Sequence, residues 1–157
     1  MITNDVREYI NRSVLSWLAT VDADGNPNVS PKEAFVAYDE KTVLVANIAS
    51  PQTVRNIQTN ASVCLSFVDV FVQKGYKLRG SAEIVVPADA RYEALEAPLL
   101  EMTKGVFPIR SIIAIRVNTV ESIVAPSYRL FSETTESTQI AAAMRTYGVV
   151  SAVEERH

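Results

Sequence analysis

Hydrophobic and polar residues alternate with a period of two along several short stretches of the chain, a pattern that predicts β-strands. The first of these strands covers residues 15–21, and the Asp24–Gly25 pair that follows it is typical of a hairpin turn. The return strand covers residues 27–38. Pro31 within that strand predicts a bend or an edge position, because proline has no amide hydrogen to donate to a neighbouring strand.

The same kind of pattern predicts four more strands and four helices. The further strands are expected at residues 42–48, 63–70, 76–86 and 112–120. Apolar residues at helical spacing predict helices at residues 1–13, 50–60, 88–102 and 136–148, the last of them capped by Gly148. In the first helix, Asp5 and Glu8 are spaced as in a capping box. Gly80, inside a predicted strand, suggests a bulge or a close approach of two backbones.

Six strands joined mostly by short connections predict a mainly β fold, with a largely antiparallel sheet and helices at its flanks. A closed or nearly closed barrel is the economical arrangement, because closure removes exposed strand edges. The chain of 157 residues contains no repeat, no low-complexity block and no Gly/Ser-rich linker. We therefore expect a single domain, residues 1–157.

Composition narrows the functional classes. Apolar residues make up 48% of the chain and the net charge is −3, so no overall basic field favours nucleic acid. The single cysteine, Cys64, and the single histidine, His157, predict no metal site and no catalytic cysteine–histidine or serine–histidine pair. No apolar run approaches the roughly 20 residues of a membrane helix, and the amino terminus lacks a signal-peptide pattern. The expectation is a cytoplasmic protein without membrane or nucleic-acid partners.

The first candidate binding site is the segment of residues 50–53. Ser50 followed by Pro51 is typical of a helix start, and the first amides of a helix have no acceptor within it. These amides lie at the partly positive end of the helix, which suits a phosphate, and the side chains of Ser50, Gln52 and Thr53 add donors. The same residues also fit an ordinary N-cap without any ligand.

Two further segments offer binding groups. Pro31 interrupts strand pairing, so backbone groups of residues 28–32 are free to meet a flat heteroaromatic ligand, and Lys32 supplies positive charge there. Lys77 and Arg79 share one face of another strand, where an anion between them would relieve their repulsion. Without a ligand, the first segment fits an edge strand that proline and lysine protect from further pairing. Lys77 and Arg79 then fit a solvated outer face.

Reactive side chains are scarce in this sequence. No pair of carboxylates is placed for acid–base work, and the five glycines form no Gly-rich phosphate loop. Binding groups without reactive groups are typical of a protein whose chemistry belongs to a cofactor.

Four stretches of the chain carry a family resemblance. They are LATVDADGNPNVSPK at residues 18–32, VLVANIASPQTVRNI at 43–57, NASVCLSF at 60–67 and GYKLRGSAE at 75–83. In order and spacing they resemble the pyridoxamine-phosphate oxidase-like, FMN-binding split-barrel proteins. The second stretch resembles the family's strand-then-helix phosphate site, and the fourth resembles a strand in which Gly-x-Ala-Glu recurs.

This resemblance implies a split β-barrel that forms a homodimer, with one FMN per subunit in a groove at the dimer interface. The cofactor-binding residues that it implies are Asn28, Val29, Ser30 and Lys32 beside the isoalloxazine or ribityl group, Ala46, Asn47 and Ser50 beside the ribityl group and phosphate, and Gln52, Thr53 and Lys77 at the phosphate. No catalytic side chain is implied.

The chain departs from the true pyridoxamine-phosphate oxidases at two places. Their Ser-Arg-Lys phosphate motif is replaced by Pro51, Gln52 and Thr53, which carry no positive charge. Nothing before the terminal Arg156 and His157 resembles their carboxyl-terminal Arg-x-His segment. Strict vitamin B6 oxidase activity is therefore not expected, and the chain is more similar to the small FMN-binding and flavin-reductase-like members.

The expected function is that of an FMN-dependent oxidoreductase, in which the flavin transfers hydride or electrons and a nicotinamide or another donor reduces it. Three alternatives stay open: a flavin carrier or sensor without turnover, a cofactor-free dimeric scaffold, and a deazaflavin in place of FMN. The sequence specifies neither the substrate nor the electron acceptor.

Overall fold

Seven strands form one curled sheet in the computed structural model, which describes residues 1–152. The strands are β1 (Ser16–Val21), β2 (Pro27–Lys32), β3 (Phe35–Ala37), β4 (Thr42–Asn47), β5 (Ser62–Asp69), β6 (Lys74–Val85) and β7 (Ser111–Val124). Their order across the sheet is β2-β1-β5-β6-β7-β4-β3, and every neighbouring pair is antiparallel. The mainly β split-barrel fold with flanking helices is therefore confirmed, with seven strands instead of six.

Five helices flank the sheet within residues 1–152: α1 (Asn4–Arg12), α2 (Pro51–Thr59), α3 (Tyr92–Thr103), α4 (Ser127–Leu130) and α5 (Glu136–Tyr147). Thr3 is the N-cap of α1 and its hydroxyl accepts the amide of Val6, so the capping box expected at Asp5 and Glu8 is wrong. α5 ends as predicted at Gly148, which takes the left-handed conformation with φ of 66°. No helix in this part of the chain is both long and apolar enough to cross a membrane.

The single strand expected at residues 27–38 is wrong, because the chain there forms two strands on opposite edges of the sheet. Only Glu33 and Ala34 link the end of β2 to the start of β3. The break comes after Lys32. Pairing of β2 with β1 continues without interruption through Pro31, so the loss of pairing expected at residues 28–32 is wrong, whereas the expected edge position is confirmed. The carbonyl of Ala34 accepts the amide of Ala46 at 2.9 Å, and this bond draws the chain across to β4.

Apolar side chains on the inner face of the sheet form the main core. The side chains of Leu18, Leu65 and Leu78 are fully buried there, and α1 and α2 close this face from above. A second cluster lies on the outer face, where Leu95 and Leu99 of α3 pack against β4 and β7. The helices thus cover the inner face and one end of the outer face.

Gly80 marks an irregularity between the two longest strands. The pairing register of β6 with β7 shifts between Arg79 and Gly80. A side chain at Gly80 would collide with the backbone carbonyl of Arg116, so only glycine fits this approach. The predicted bulge is confirmed.

The carboxyl-terminal segment is attached through Lys74 at the start of β6. The Lys74 amine lies 2.8 Å from the Glu136 carboxylate of α5 and 4.4 Å from the centre of the Tyr128 ring of α4. The terminal pair Arg156 and His157 lies outside the described residues.

Candidate functional site

A groove of about 370 Å³ lies where the edge strand β2 meets the turn between β4 and α2. Four of the ten residues expected to bind a cofactor line this groove, namely Ser30, Lys32, Ala46 and Ser50. The remaining lining residues are Leu15, Pro31, Glu33, Ala34, Ile48 and Ala49. Two of the predicted segments, residues 28–32 and 50–53, are therefore brought together at this groove.

Lys32 carries a positive charge into the wall of the groove. The residue is 5% exposed, and its amine donates to Ser30 Oγ at 2.7 Å and to Ser50 Oγ. None of the ion pairs within residues 1–152 includes Lys32. Burial lowers the pKa of the Lys32 amine, because it removes the charge from water. An anion bound in the groove would supply the missing negative charge.

Asn47 holds the turn between β4 and α2 in shape. Its side-chain oxygen accepts the amide of Ser50 at 3.1 Å, and its Nδ2 donates to Ser111 Oγ at 2.9 Å. The Asn47 carbonyl accepts the amide of Arg110 at 2.9 Å. These bonds fix the position of Ser50, which faces Lys32. A direct contact between Asn47 and a cofactor stays a prediction.

The start of α2 supplies free amide donors, as its sequence predicts. Ser50 is the N-cap and Pro51 the first helical residue, and the first backbone bond of the helix runs from Val54 to the Ser50 carbonyl at 3.2 Å. The amides of Gln52 and Thr53 precede that bond and have no acceptor in the helix. The Ser50 hydroxyl makes no capping bond and accepts from the Lys32 amine instead.

The side chains of the first turn of α2 differ in their surroundings. Gln52 is exposed and bonded along its own helix, donating to Asn56 Oδ1 and accepting from Arg55, both at 2.7 Å. Thr53 is 1% exposed and belongs to the helix face that packs on the sheet. Arg55 is therefore engaged with Gln52, and phosphate contacts by Gln52 and Thr53 stay predictions.

Three expected site residues lie away from the groove wall. Asn28 is half-buried opposite Thr20 on the inner face, and Val29 is 56% exposed on the outer face. Lys77 lies on the outer face of β6, three strands from β2, which is about 14 Å at normal strand spacing. Within a single chain, these three residues therefore do not line the groove beside Lys32.

The anion expected between Lys77 and Arg79 is a side chain of the protein. Glu121 of β7 lies 3.0 Å from the Lys77 amine and 3.1 Å from the Arg79 guanidinium. These two cations lower the pKa of the Glu121 carboxyl. No local pattern indicates this partner, because Glu121 comes from a strand that is more than 40 residues further along the chain.

Two residues that shape the site, Ser111 and Asn56, are not among the residues expected to form it. Ser111 supports Asn47 from a position 64 residues further along, and no local pattern connects them. Asn56 donates from α2 to Thr20 Oγ1 at 2.9 Å, and both residues are 1% exposed. Asn56 was detectable in principle, since a polar residue on the apolar face of a helix needs a buried partner.

The groove is equipped to bind an anion next to a flat surface. One end offers the Lys32 ammonium, two hydroxyls and the amides of the α2 start, all of which are donors. The remaining wall is formed largely by Pro31, Ala46 and Ile48. No cluster of three or more His, Cys, Asp or Glu residues within the described range is arranged to hold a metal ion.

Comparison with known proteins gives consistent matches for this part of the chain. A family model described as pyridoxamine 5'-phosphate oxidase matches residues 2–124. The crystal structure of HupZ from Group A Streptococcus is 33% identical, with a TM-score of 0.67, and the match covers 76% of this chain and 92% of that chain. None of the curated proteins compared matches the sequence.

Two more distant structures share the fold. An FMN-binding protein from Syntrophomonas wolfei is 14% identical, with a TM-score of 0.65, and the match covers 76% of this chain and 84% of that chain. An F420 reductase is 24% identical, with a TM-score of 0.59, over 76% of this chain and 98% of that chain. The matched region ends near the close of β7, before α4 and α5.

Proposed function

The chain belongs to the pyridoxamine 5'-phosphate oxidase family, and from that premise we propose that it binds FMN in the groove beside Lys32 and acts as a flavin-dependent oxidoreductase. The phosphate would be held by the Lys32 ammonium, the Ser50 hydroxyl and the amides at the start of α2. The ring system would lie along the wall that contains Pro31 and Ala46.

The observation that carries this proposal is the uncompensated charge of Lys32. A buried ammonium that meets only hydroxyls is costly, and a phosphate offsets that cost with a charge-assisted hydrogen bond. The free backbone amides at the start of α2 also favour an anion, and they do so without a second cation. The residues present therefore fit a phosphate-bearing cofactor, even though Pro51, Gln52 and Thr53 carry no charge.

Bound flavin would supply hydride and electron transfer, chemistry that no side chain in the groove provides. The protein's own contribution would be to fix the phosphate and to orient the ring against an apolar wall. The natural electron donor in this proposal is a nicotinamide or another soluble reductant.

We further propose that the protein is a homodimer and that residues of the second subunit complete the groove. Trp17 and Val29 are 47% and 56% exposed on the same outer face of the sheet. Exposed apolar side chains in one patch favour contact with another protein surface. Val29 and Lys77, which lie outside the groove of their own chain, would then reach a flavin from this interface.

Three alternatives concern the same groove and differ in what it binds or in what the bound flavin does. A flavin carrier or sensor would bind FMN without turnover, and the scarcity of acid and base groups in the groove favours it. A deazaflavin would use the same phosphate anchor, and a cofactor-free scaffold would leave the Lys32 charge unmatched.

The test begins with purified protein titrated with FMN while the flavin absorbance and fluorescence are recorded. We expect saturation at one FMN per chain, followed by steady oxidation of a nicotinamide by the loaded protein. Protein that binds no FMN contradicts the proposal, whereas binding without nicotinamide oxidation favours the carrier. Tighter binding of a deazaflavin than of FMN would reassign the cofactor.

A further inference from the structure

A second cavity adjoins the groove, on the side away from the phosphate end. It has a volume of about 460 Å³ and lies between the end of α1, the β2–β3 link and the end of α3. Glu33, Ala34 and Ile48 line both the groove and this cavity. We call it the Phe107 cavity, after the aromatic residue in its far wall. Its size falls within the range of about 300–1,000 Å³ that is usual for small-molecule sites.

The walls of the Phe107 cavity favour an uncharged molecule. Val14, Ile48, Met102 and Phe107 provide an apolar surface, and the last two are 44% and 45% exposed. Neither a lysine nor an arginine is among the described lining residues, whereas Glu33 contributes a carboxylate. An anionic ligand would therefore meet repulsion without any compensating cation.

Ser13 lines this cavity and carries a buried hydroxyl that makes no hydrogen bond within the described chain. Ser13 follows α1 in the cavity wall and is 5% exposed. Because no bond holds the hydroxyl, rotation of the side chain toward a ligand breaks none. Thr103 in the same wall differs, since its hydroxyl already donates to the Leu99 carbonyl at 2.8 Å.

We propose that the Phe107 cavity is the substrate subsite and takes an uncharged aromatic carbonyl compound of the quinone type, with a carbonyl oxygen accepting from Ser13. This inference rests on the proposed flavin function, because it places the ligand beside the flavin groove. Reduction of a quinone to a hydroquinone consumes two electrons and two protons. The proposed flavin, once reduced, would supply the electrons as a hydride equivalent and return to its oxidised form, and solvent would supply the remaining proton.

The test uses 2,3-dimethyl-1,4-naphthoquinone, whose ring is blocked against addition of the Cys64 thiol. Calorimetric titration of the FMN-loaded and the FMN-free chain should give one site per chain. Ser13→Ala should weaken binding about three- to tenfold, the range of one neutral hydrogen bond. Thr103→Val is the matched control and should leave the affinity within about twofold, because its hydroxyl is already engaged. The anionic 9,10-anthraquinone-2-sulfonate should bind at least about tenfold more weakly than the neutral quinone.

Three results would overturn the inference: no binding of the neutral quinone, equal affinity in Ser13→Ala, or preference for the sulfonate. The melting temperature separates a folding defect from a lost contact, since Ser13→Ala removes no existing bond and should not lower it. FMN affinity is measured in the same samples. Normal FMN binding without quinone binding refutes this subsite alone, whereas failure of FMN binding refutes the proposed function.

Discussion

The energetic cost of burying the charge of Lys32 depends on whether an anion is bound beside it. In the free protein its ammonium is buried against two hydroxyls, and burial lowers its pKa. Because the folded-state pKa lies below that of the unfolded chain, the cost of burying the charge is present at lower pH. That cost falls as the pH rises above the folded-state pKa, and it is gone once the pH exceeds the pKa of the unfolded chain. A bound phosphate reverses the preference, since it favours the charged amine.

We expect Lys32→Met to weaken FMN binding at neutral pH by about 1.5–3 kcal/mol, the range of hydrogen bonds to charged groups. As the pH rises through the lowered pKa of Lys32, the wild-type amine loses its charge and the two affinities should converge. Fluorescence titrations across the pH range measure both effects. Lys41→Met, at an exposed lysine, is the control and should change neither affinity. If the difference in FMN affinity between wild type and Lys32→Met does not narrow at alkaline pH, Lys32 does not bind the phosphate.

Thr53 tests the placement of the phosphate at the start of α2. Thr53→Val removes the hydroxyl but keeps the shape, and we expect FMN binding to weaken by about 1–2 kcal/mol while the fold is retained. Thr59→Val is a matched control at the other end of α2, where the hydroxyl is bonded to the helix backbone. Equal FMN affinities of wild type and Thr53→Val would refute a contact from this hydroxyl.

At the scale of elements, α2 must be held firmly because it carries the donors of the site. The buried bond from Asn56 to Thr20 ties α2 to β1, and Asn47 ties its start to β7 through Ser111. A shift of the helix would move the Ser50 hydroxyl away from Lys32. The site therefore depends on polar contacts beneath it as well as on the groups that line it.

We expect Asn56→Ala to lower the free energy of unfolding by about 1–3 kcal/mol, because it leaves the buried Thr20 hydroxyl without its partner. Urea unfolding followed by circular dichroism measures the change. Gln58→Ala lies on the exposed side of the same helix and should stay within about 0.5 kcal/mol of wild type. Equal losses in the two variants would mean that the buried bond contributes nothing.

Sequence patterns predicted elements well where the information is local. The start of α2 follows from Ser50 and Pro51, and the bulge at Gly80 follows from glycine inside a strand. The separation of β2 from β3 did not follow, because it depends on which strand each half pairs with across the sheet. For the same reason Ser111 and Glu121, which act through distant strands, were not foreseen.

For the whole molecule, the exposed outer face of the sheet is the feature that bears on assembly. Trp17 lies on this face in β1, between the edge strand β2 and β5. The face is apolar near Val29 and ionic near Lys77, Arg79 and Glu121. That combination suits an interface with an apolar centre and a polar rim.

We expect Trp17→Arg to shift the protein from dimer to monomer, because it places a charge in the centre of the proposed interface. Sedimentation velocity at several protein concentrations measures the shift. Leu130→Arg is the control, since Leu130 is 71% exposed on α4, which packs near Lys74. A wild-type chain that sediments as a monomer would contradict the dimer, and a dimeric Trp17→Arg would exclude this face.

The two-residue link of Glu33 and Ala34 connects the two edge strands of the curled sheet covalently, and no ladder of hydrogen bonds joins β2 to β3. Because β2 and β3 do not pair with each other, the two edge strands can move apart without breaking a hydrogen bond between them. A ligand in the adjoining groove would contact both sides of this link, Lys32 on β2 and Ser50 on the β4–α2 turn. A bound cofactor would therefore restrict the movement of the edge strands and slow hydrogen exchange in β2 and β3 more than in the central strands.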